Sequence, residues 1–439
     1  MFKGLIAVLG RDDKPTLSDL TTEAAHGEDA REFLTWYQRL KDFPFQADLR
    51  AALQRQGKDL DALIVSEDYR SILQCLLMSR GLRYSELPKA LIPFHDYADG
   101  PHTALEEHLA EGAELFKDGQ GDCRLHFTVS PEHREWVLAQ IETVRGKYEK
   151  NGLRFEIGLS QQRHETDTLG VDEDNFPLRN PDNSLILRPG GHGALLENLQ
   201  DAGKDIVFIK NIDNLGPVRL RPEVLAQRCV LGGYLVLLQE RIFAYLRHLQ
   251  TEIDPELLEE ISRFVEENLG LQLPDALGNP PANATALKEK ATWLQNTLDR
   301  PLRVCAMVKN QGEPGGGPFW VRHMDGSTRL QIVETAQVDK SDREQSKIVA
   351  AATHFNPVDL VCGLRNFCGE AFKLRDYVDR NTYFISAKSK DGKTIKTLEL
   401  PGLWNGSMAF WNTVFVETPV ETFNPVKSVN DLLRANHRS

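Results

Sequence analysis

Apolar positions recur three and four residues apart between Glu28 and about Arg80, first as Phe33, Trp36, Tyr37 and Leu40, then as Tyr69, Ile72, Leu73, Leu76 and Leu77. That spacing puts them on one face of a helix, so a helical cap is expected ahead of the main sheet. The texture then changes. Leu125–Ser130 reads as a strand, Pro131 and Glu132 open a helix with an acidic first turn, and Phe155–Leu159 reads as another strand. A polar, loop-rich stretch follows to Arg188. The run Asp-Ile-Val-Phe-Ile-Lys-Asn at 205–211 is short, β-branched and bounded by polar residues, which fits a buried strand. Helical periodicity returns from Pro222 to Leu269, broken near Asp254-Pro255, and the Pro, Gly and Asn content of 275–283 predicts a surface linker. Further strands are expected at Val304–Val308, Phe319–His323, Leu330–Val338, Tyr383–Ala387 and Ala409–Val416.

Strands alternating with helices predict an α/β protein with a mixed, mostly parallel sheet covered on both faces. Ligands of such sheets bind beyond the carboxyl ends of the strands. The expected organisation is a helical N-terminal segment with the start of the core over 1–120, an α/β core over 121–400 with a helical insertion at 221–300, and a closing segment over 401–439. The last third is expected to be rich in β-structure.

Composition narrows the function more than the fold. A formal net charge of -12 over 439 residues argues against a nucleic-acid binder, which usually carries a basic footprint. Cysteines 75, 123, 229, 305, 362 and 368 show no zinc-ligand spacing and read as reduced thiols. The apolar start Met1–Gly10 is too short for a signal segment, and no later run is read as spanning a bilayer, so a cytoplasmic protein without a membrane partner is expected. The histidines at 95, 102, 108, 126 and 133 are scattered without zinc spacing, and Asp172-Glu173-Asp174 reads as a solvated turn.

Two segments carry candidate chemistry. Arg188-Pro189-Gly190-Gly191-His192-Gly193 precedes a helix-like run, so it is either a phosphate loop feeding a helix N-terminus or a tight strand-to-helix turn. Asn211-Ile212-Asp213-Asn214-Leu215-Gly216 follows the buried strand, and its aspartate is either a ligand for phosphate-bound Mg²⁺ or an Asx-turn. The glycine-rich stretch Gly312–Pro318 reads as a hairpin loop. Trp404–Ala409 is either a sugar-facing loop or a simple hairpin.

Together, the Pro-Gly-Gly-His-Gly and Asn-Ile-Asp-Asn-Leu-Gly segments resemble those of eukaryotic-type UTP–glucose-1-phosphate uridylyltransferases and related UDP-sugar pyrophosphorylases. Further resemblances follow in order: Glu334-Thr335-Ala336-Gln337-Val338, His354-Phe355-Asn356-Pro357-Val358-Asp359-Leu360, and Phe423–Leu433 with Pro425-Val426-Lys427 and Asp431-Leu432-Leu433. Pro88-Lys89-Ala90-Leu91-Ile92-Pro93 is similar to the Lys-x-Leu-x-Pro element of nucleotidyltransferases. The chain is more similar still to a bacterial family, a domain of unknown function with the same motif set.

The resemblance implies a Rossmann-like, GT-A-like nucleotide-diphospho-sugar transferase core that couples a nucleoside triphosphate to a sugar-1-phosphate and releases pyrophosphate. It implies that Gly190, Gly191, His192, Gly193 and Asn211 lie at the nucleotide and its phosphates, and that Gln162, or Gln161 in another register, contacts the base. Asp213 would ligate Mg²⁺, Lys89 and Lys427 would serve the phosphates, and Glu334 and Asn356 would bind sugar hydroxyls. The family also places a glycine-rich loop after its first strand, which is expected to be missing here because the chain starts at Met1-Phe2-Lys3. That departure leaves a non-catalytic nucleotide-sugar binder, or a truncated copy, as the alternative. Asp359, Pro357 and Val358 depart from the sugar-side pattern and leave the sugar open.

Overall fold

The computed structural model describes residues 1–438 apart from 252, 279–282, 313–314, 324–325 and 391–392. It is a mixed α/β chain that divides into two compact units, one formed by Met1–Gly158, Asn211–Ala226 and Glu421–Ser439, the other by Leu159–Lys210 and Gln227–Val420.

The first unit is built on short helices. The periodic stretch expected over 28–80 resolves into Glu28–Gln38, Gln46–Arg55, Leu60–Val65 and Tyr69–Leu77. The breaks have local causes. Asp59 accepts from the Ala62 amide and Asp68 from the Ser71 amide, each capping a new helix where the previous one stops. The apolar start of the chain is itself helical over Lys3–Leu9 and buries Leu5, Val8 and Leu9. These helices enclose Phe33, Trp36, Phe45 and Leu53, and the core also takes in Leu215, Val426, Val429 and Leu432 from the two distant segments. The strand Asp122–Thr128 pairs with Arg154–Ser160, and the helix Arg134–Tyr148 connects them.

The second unit is organised by a five-stranded sheet: β1 (Ile206–Lys210), β2 (Leu302–Lys309), β3 (His354–Phe355), β4 (Asp359–Gly363) and β5 (Asn412–Glu417). β4 lies between β1 and β2 and runs antiparallel to both; β3 continues along the same edge of β2, also antiparallel; only β5 pairs with β2 in parallel. The expected mostly parallel sheet is therefore corrected. β1 and β2 do run the same way, as a helical crossover requires, but β4, from later in the chain, is inserted between them.

Alternation along β2 sends its side chains to two layers. Val304 and Ala306 meet Leu235, Leu238, Leu258, Ile261 and Leu294, which come from the helices Arg221–Thr251, Pro255–Leu269 and Ala284–Leu298. Cys305, with Leu360 and Cys362 of β4, faces Leu196, Leu403, Met408 and Trp411.

Several sequence expectations need adjustment. The strand expected to reach Val338 ends at Glu334 and passes into a 3-10 turn over Thr335–Gln337. The expected linker at 275–283 begins with a short helix, Asp275–Gly278, and positions 279–282 lie outside the described residues. Of the expected loop over Gly312–Pro318, residues 313–314 lie outside the described residues and Gly316 already begins a strand. Contrary to the expectation that no run is long and apolar enough to span a bilayer, Val218–Thr251 is so by length and composition, with a mean hydropathy of 1.3 over its most apolar window. Leu231, Leu235, Leu238, Ile242 and Leu246 of that helix are buried in the core of the second unit. All six cysteines are free thiols, four of them buried.

Candidate functional site

In the first unit, the segment after β1 folds back at Asn211–Asn214, where the Asn214 amide donates to the Asn211 carbonyl at 3.2 Å. Three further bonds draw the C-terminal segment alongside. The Asn424 amide donates to Asn214 Oδ1 at 2.8 Å, the Leu215 amide to the Asn424 carbonyl at 3.3 Å, and the Val426 amide to the Asp213 carbonyl at 3.0 Å. Lys427 is then fixed from behind, because the amides of Lys427 and Ser428 both donate to Asp431 Oδ2 at 2.7 Å. Lys89, at the start of the 3-10 turn Lys89–Leu91, reaches the same place.

The result is two ammonium groups on one carboxylate oxygen. Lys89 Nζ lies 2.7 Å and Lys427 Nζ 3.3 Å from Asp213 Oδ2. Burial opposes ionisation of Asp213, but the adjacent ammonium groups, Lys89 first and then Lys427, outweigh it and hold the carboxyl below its ordinary range. The cluster keeps a net positive charge. Lys89 spends a second N–H on the Val426 carbonyl at 2.8 Å, leaving one of its three donors; Lys427 spends one and is half exposed. Compact cations with donors to spare, beside a carboxylate that fixes their positions, suit a phosphate oxyanion.

The donor set also bears on a cation. Among the described residues no group of three or more His, Cys, Asp or Glu side chains gathers around a point. A single carboxylate does not hold Mg²⁺ unaided, but Mg²⁺ that arrives on phosphates commonly needs only one or two protein carboxylates. Asp213 fits that second case.

In the second unit the glycine loop is packed against its own chain. The strand Leu187–Arg188 leads into Gly191 at φ 78°, a 3-10 turn at His192–Leu195 and the six-residue helix Leu196–Asp201. A Cβ on Gly193 would stand 2.1 Å from the Pro401 carbonyl oxygen, so the close approach that the glycine permits is to residues 400–401. His192 Nδ1 accepts from the Leu403 amide at 2.9 Å, which places its proton on Nε2, 3.3 Å from Glu334 Oε1. Trp404 stacks on the imidazole with centroids 4.1 Å apart. The His192 hydrogen bond lowers the Glu334 pKa against the opposing effect of burial, with Asn405 and Trp404 also contributing. Asn405 in turn donates to Gln337 at 3.0 Å.

The sequence-predicted residues thus fall into separate settings. Lys89, Asp213 and Lys427 come together, with Asn211 in the turn that presents Asp213. His192 and Glu334 come together, beside Gly190, Gly191 and Gly193. Gln162 donates to Asp167 at 3.1 Å, while the Gln161 carbonyl accepts from Asn198 at 2.9 Å. Asn356 is 1% exposed; its amide donates to the Ala306 carbonyl at 2.7 Å and accepts from the Val358 amide at 3.1 Å, spanning the kink between β3 and β4. Sequence reasoning gave no role to Asn424 and Asp431, which position Lys427, or to Gln337. All three lie inside recognised motif segments, which was the available signal.

No curated protein matches the chain by sequence. Among solved structures it is similar to a mutant of UDP-glucose pyrophosphorylase from Leishmania major in complex with UDP-glucose, at 16% identity and a TM-score of 0.43 over 80% of this chain. It is likewise similar to a UDP-glucose phosphorylase from Trypanosoma brucei, at 17% identity and a TM-score of 0.41, covering 79% of this chain and 62% of that one. The chain spans 61% of the length of the Leishmania protein. Residues 1–438 match one protein family, and the chain belongs to it: the domain of unknown function DUF4301.

Proposed function

We propose that this protein is a sugar-phosphate nucleotidyltransferase, joining a nucleoside triphosphate, with UTP the first candidate, to a sugar-1-phosphate. The observation that carries this reading is the meeting of Lys89 and Lys427 on Asp213 Oδ2, at 2.7 and 3.3 Å. In the reaction, a phosphate oxygen of the sugar phosphate forms a bond to the α-phosphorus. The bond from that phosphorus to the bridging oxygen breaks, and pyrophosphate leaves with the electron pair. No covalent protein nucleophile is needed, because such transfers rest on alignment and charge neutralisation.

The geometry supports the following proposed roles. Lys427, with two uncommitted donors, neutralises charge on the α-phosphoryl oxygens. Lys89 supplies one further donor and, through its bond to the Val426 carbonyl, holds the Lys427 segment in place. Asp213 orients both ammonium groups and is the residue that would hold Mg²⁺; the cation, when bound, neutralises phosphate charge. Glu334, steadied by His192 and Asn405, is proposed as an acceptor for a hydroxyl of the sugar phosphate. Gln162 is proposed for the base, and Asn356, with its amide engaged in the backbone, supports this side from within the strand kink.

The test is a thermal-shift panel of the full chain with UTP, other triphosphates, UDP-sugars and sugar-1-phosphates, with and without Mg²⁺, paired with an assay of pyrophosphate release. A ligand bound only by the folded state adds about 2.7 kcal/mol at a hundredfold excess over its Kd. The expected outcome is a Mg²⁺-enhanced shift with one nucleotide, pyrophosphate release with one sugar phosphate, and loss of both in Lys427→Ala. A shift without turnover would favour a nucleotide-sugar binding protein. No shift with any nucleotide or UDP-sugar would overturn both readings.

A further inference from the structure

The second unit contains a cleft of about 620 Å³ that shares no residue with the His192–Glu334 cluster. One wall is the end of the helix Ala284–Leu298, with Asn296, the C-cap Asp299 and Arg300. The facing wall is formed by the 3-10 turns Leu374–Tyr377 and Arg380–Thr382, which bring Asp376, Asp379 and Asn381. Arg329, only 3% exposed, Gln295 and the adjacent rings of His323 and Phe410 complete the lining.

The walls are braced before any ligand arrives. The Asp379 amide donates to the Gly406 carbonyl at 2.9 Å and the Phe410 amide to the Tyr377 carbonyl at 3.2 Å. Arg300 is tied to the Asn296 carbonyl at 2.9 Å. A cleft formed in advance asks little ordering of its ligand site, and its volume falls in the usual range for small-molecule sites. One group in it lacks a protein partner: Asp299 Oδ1 is buried and accepts no hydrogen bond. Burial raises the pKa of this carboxyl, with Glu370 adding to the effect. Buried polar atoms are almost always hydrogen-bonded, so a carboxyl that lines a cleft with one oxygen unpaired is a natural place for a donor from elsewhere.

The lining identifies the class of ligand. Three carboxylates stand against two guanidinium groups, so a phosphate or other multiply charged anion would meet repulsion, and a polycation would meet Arg300 and Arg329. Carboxylate, amide and guanidinium groups line the cleft together with the Phe410 and Tyr377 rings, so it offers donors, acceptors and apolar ring surface. A molecule with a hydroxyl on nearly every carbon and C–H faces between them matches that arrangement. We propose that this cleft binds a neutral saccharide of one or two hexose units, with a hydroxyl donating to the Asp299 carboxyl.

The test is saturation-transfer NMR on the full chain with glucose, N-acetylglucosamine, mannose, maltose and cellobiose, and with glucose-1-phosphate as the charged comparison. At least one neutral sugar should show transfer, binding at least tenfold more weakly in Asp299→Ala and losing its signal in Asn381→Trp, where an exposed position carries a ring into the cleft. Lys427→Ala should leave this binding unchanged, which separates failure here from failure of the nucleotidyltransferase reading. If Asp299→Ala does not fold, Asn381→Trp decides alone, provided its circular dichroism matches the parent. No transfer from any neutral sugar, or transfer that survives in Asn381→Trp, would overturn the proposal.

Discussion

Among single residues, Asp213 has the clearest electrostatic position. Its pKa is lowered from the ordinary 3.8, because the ammonium groups of Lys89 and Lys427 outweigh the cost of burial. A group whose folded pKa is depressed contributes stability that is fully present above its unfolded pKa and is lost as pH falls through the folded value. Asp213→Asn should therefore cost about 1–3 kcal/mol at pH 7, the usual price of leaving charged donors short of a partner. The gap between variant and parent should close as pH falls below 3.8, as urea titrations across that range would show; a gap that stayed constant would mean that the ion pairs contribute nothing. That Asp213 and Lys427 belong to one site was legible in the sequence because each sits in a motif with its neighbours in order, and the structure brings them together. His192 was harder to read. Its partners, the Leu403 amide and Glu334, lie far away in sequence, and no local spacing announces them. Asn356 was read as a sugar contact, yet its amide bridges Ala306 and Val358, a job visible only once β2 and the β3–β4 kink are side by side.

For whole elements, periodicity revealed existence and type but not pairing. Val304–Val308 and Ile206–Lys210 have the β-branched texture of buried strands, and both are strands of the central sheet. Nothing in either run shows that Asp359–Gly363 will insert between them in the opposite direction, because strand neighbours are chosen by packing across hundreds of residues. The helix starts were better marked, Asp59 and Asp68 each standing at a cap. Two glycines give opposite expectations from the same substitution. A Cβ on Gly193 would meet the Pro401 carbonyl at 2.1 Å, so Gly193→Ala should destabilise the second unit by about 1–3 kcal/mol and disturb the stacking of Trp404 on His192. A Cβ on Gly233, in the helix Arg221–Thr251, would have nothing within 4 Å, so Gly233→Ala should stabilise by roughly 0.5–1 kcal/mol. Denaturant melts of both variants check the signs; equal effects would mean that the Gly193 loop yields freely.

Over the whole molecule, the first unit is discontinuous, since Met1–Gly158 closes its core only with Asn211–Ala226 and Glu421–Ser439. Val426 and Val429 are fully buried there and Leu432 is 2% exposed. Each is worth roughly 1.5–3 kcal/mol of burial. A chain ending at Val420 should therefore leave the helices of residues 1–80 without a stable core, and limited proteolysis should cut them while the second unit resists. Equal resistance of both units would show that the first stands without its last segment. This organisation was not legible in advance, because the amphipathic helices near the start of the chain give no hint that their missing apolar partners lie more than three hundred residues later. It also sets an order of events on the ribosome. The helices of residues 1–80 emerge before the second unit and must wait, their apolar faces uncovered, while the whole of that unit is synthesised. Lys427 follows the second unit in sequence, so the lysine pair on Asp213 forms only after that unit has been made, and a chain interrupted before Lys427 lacks the pair.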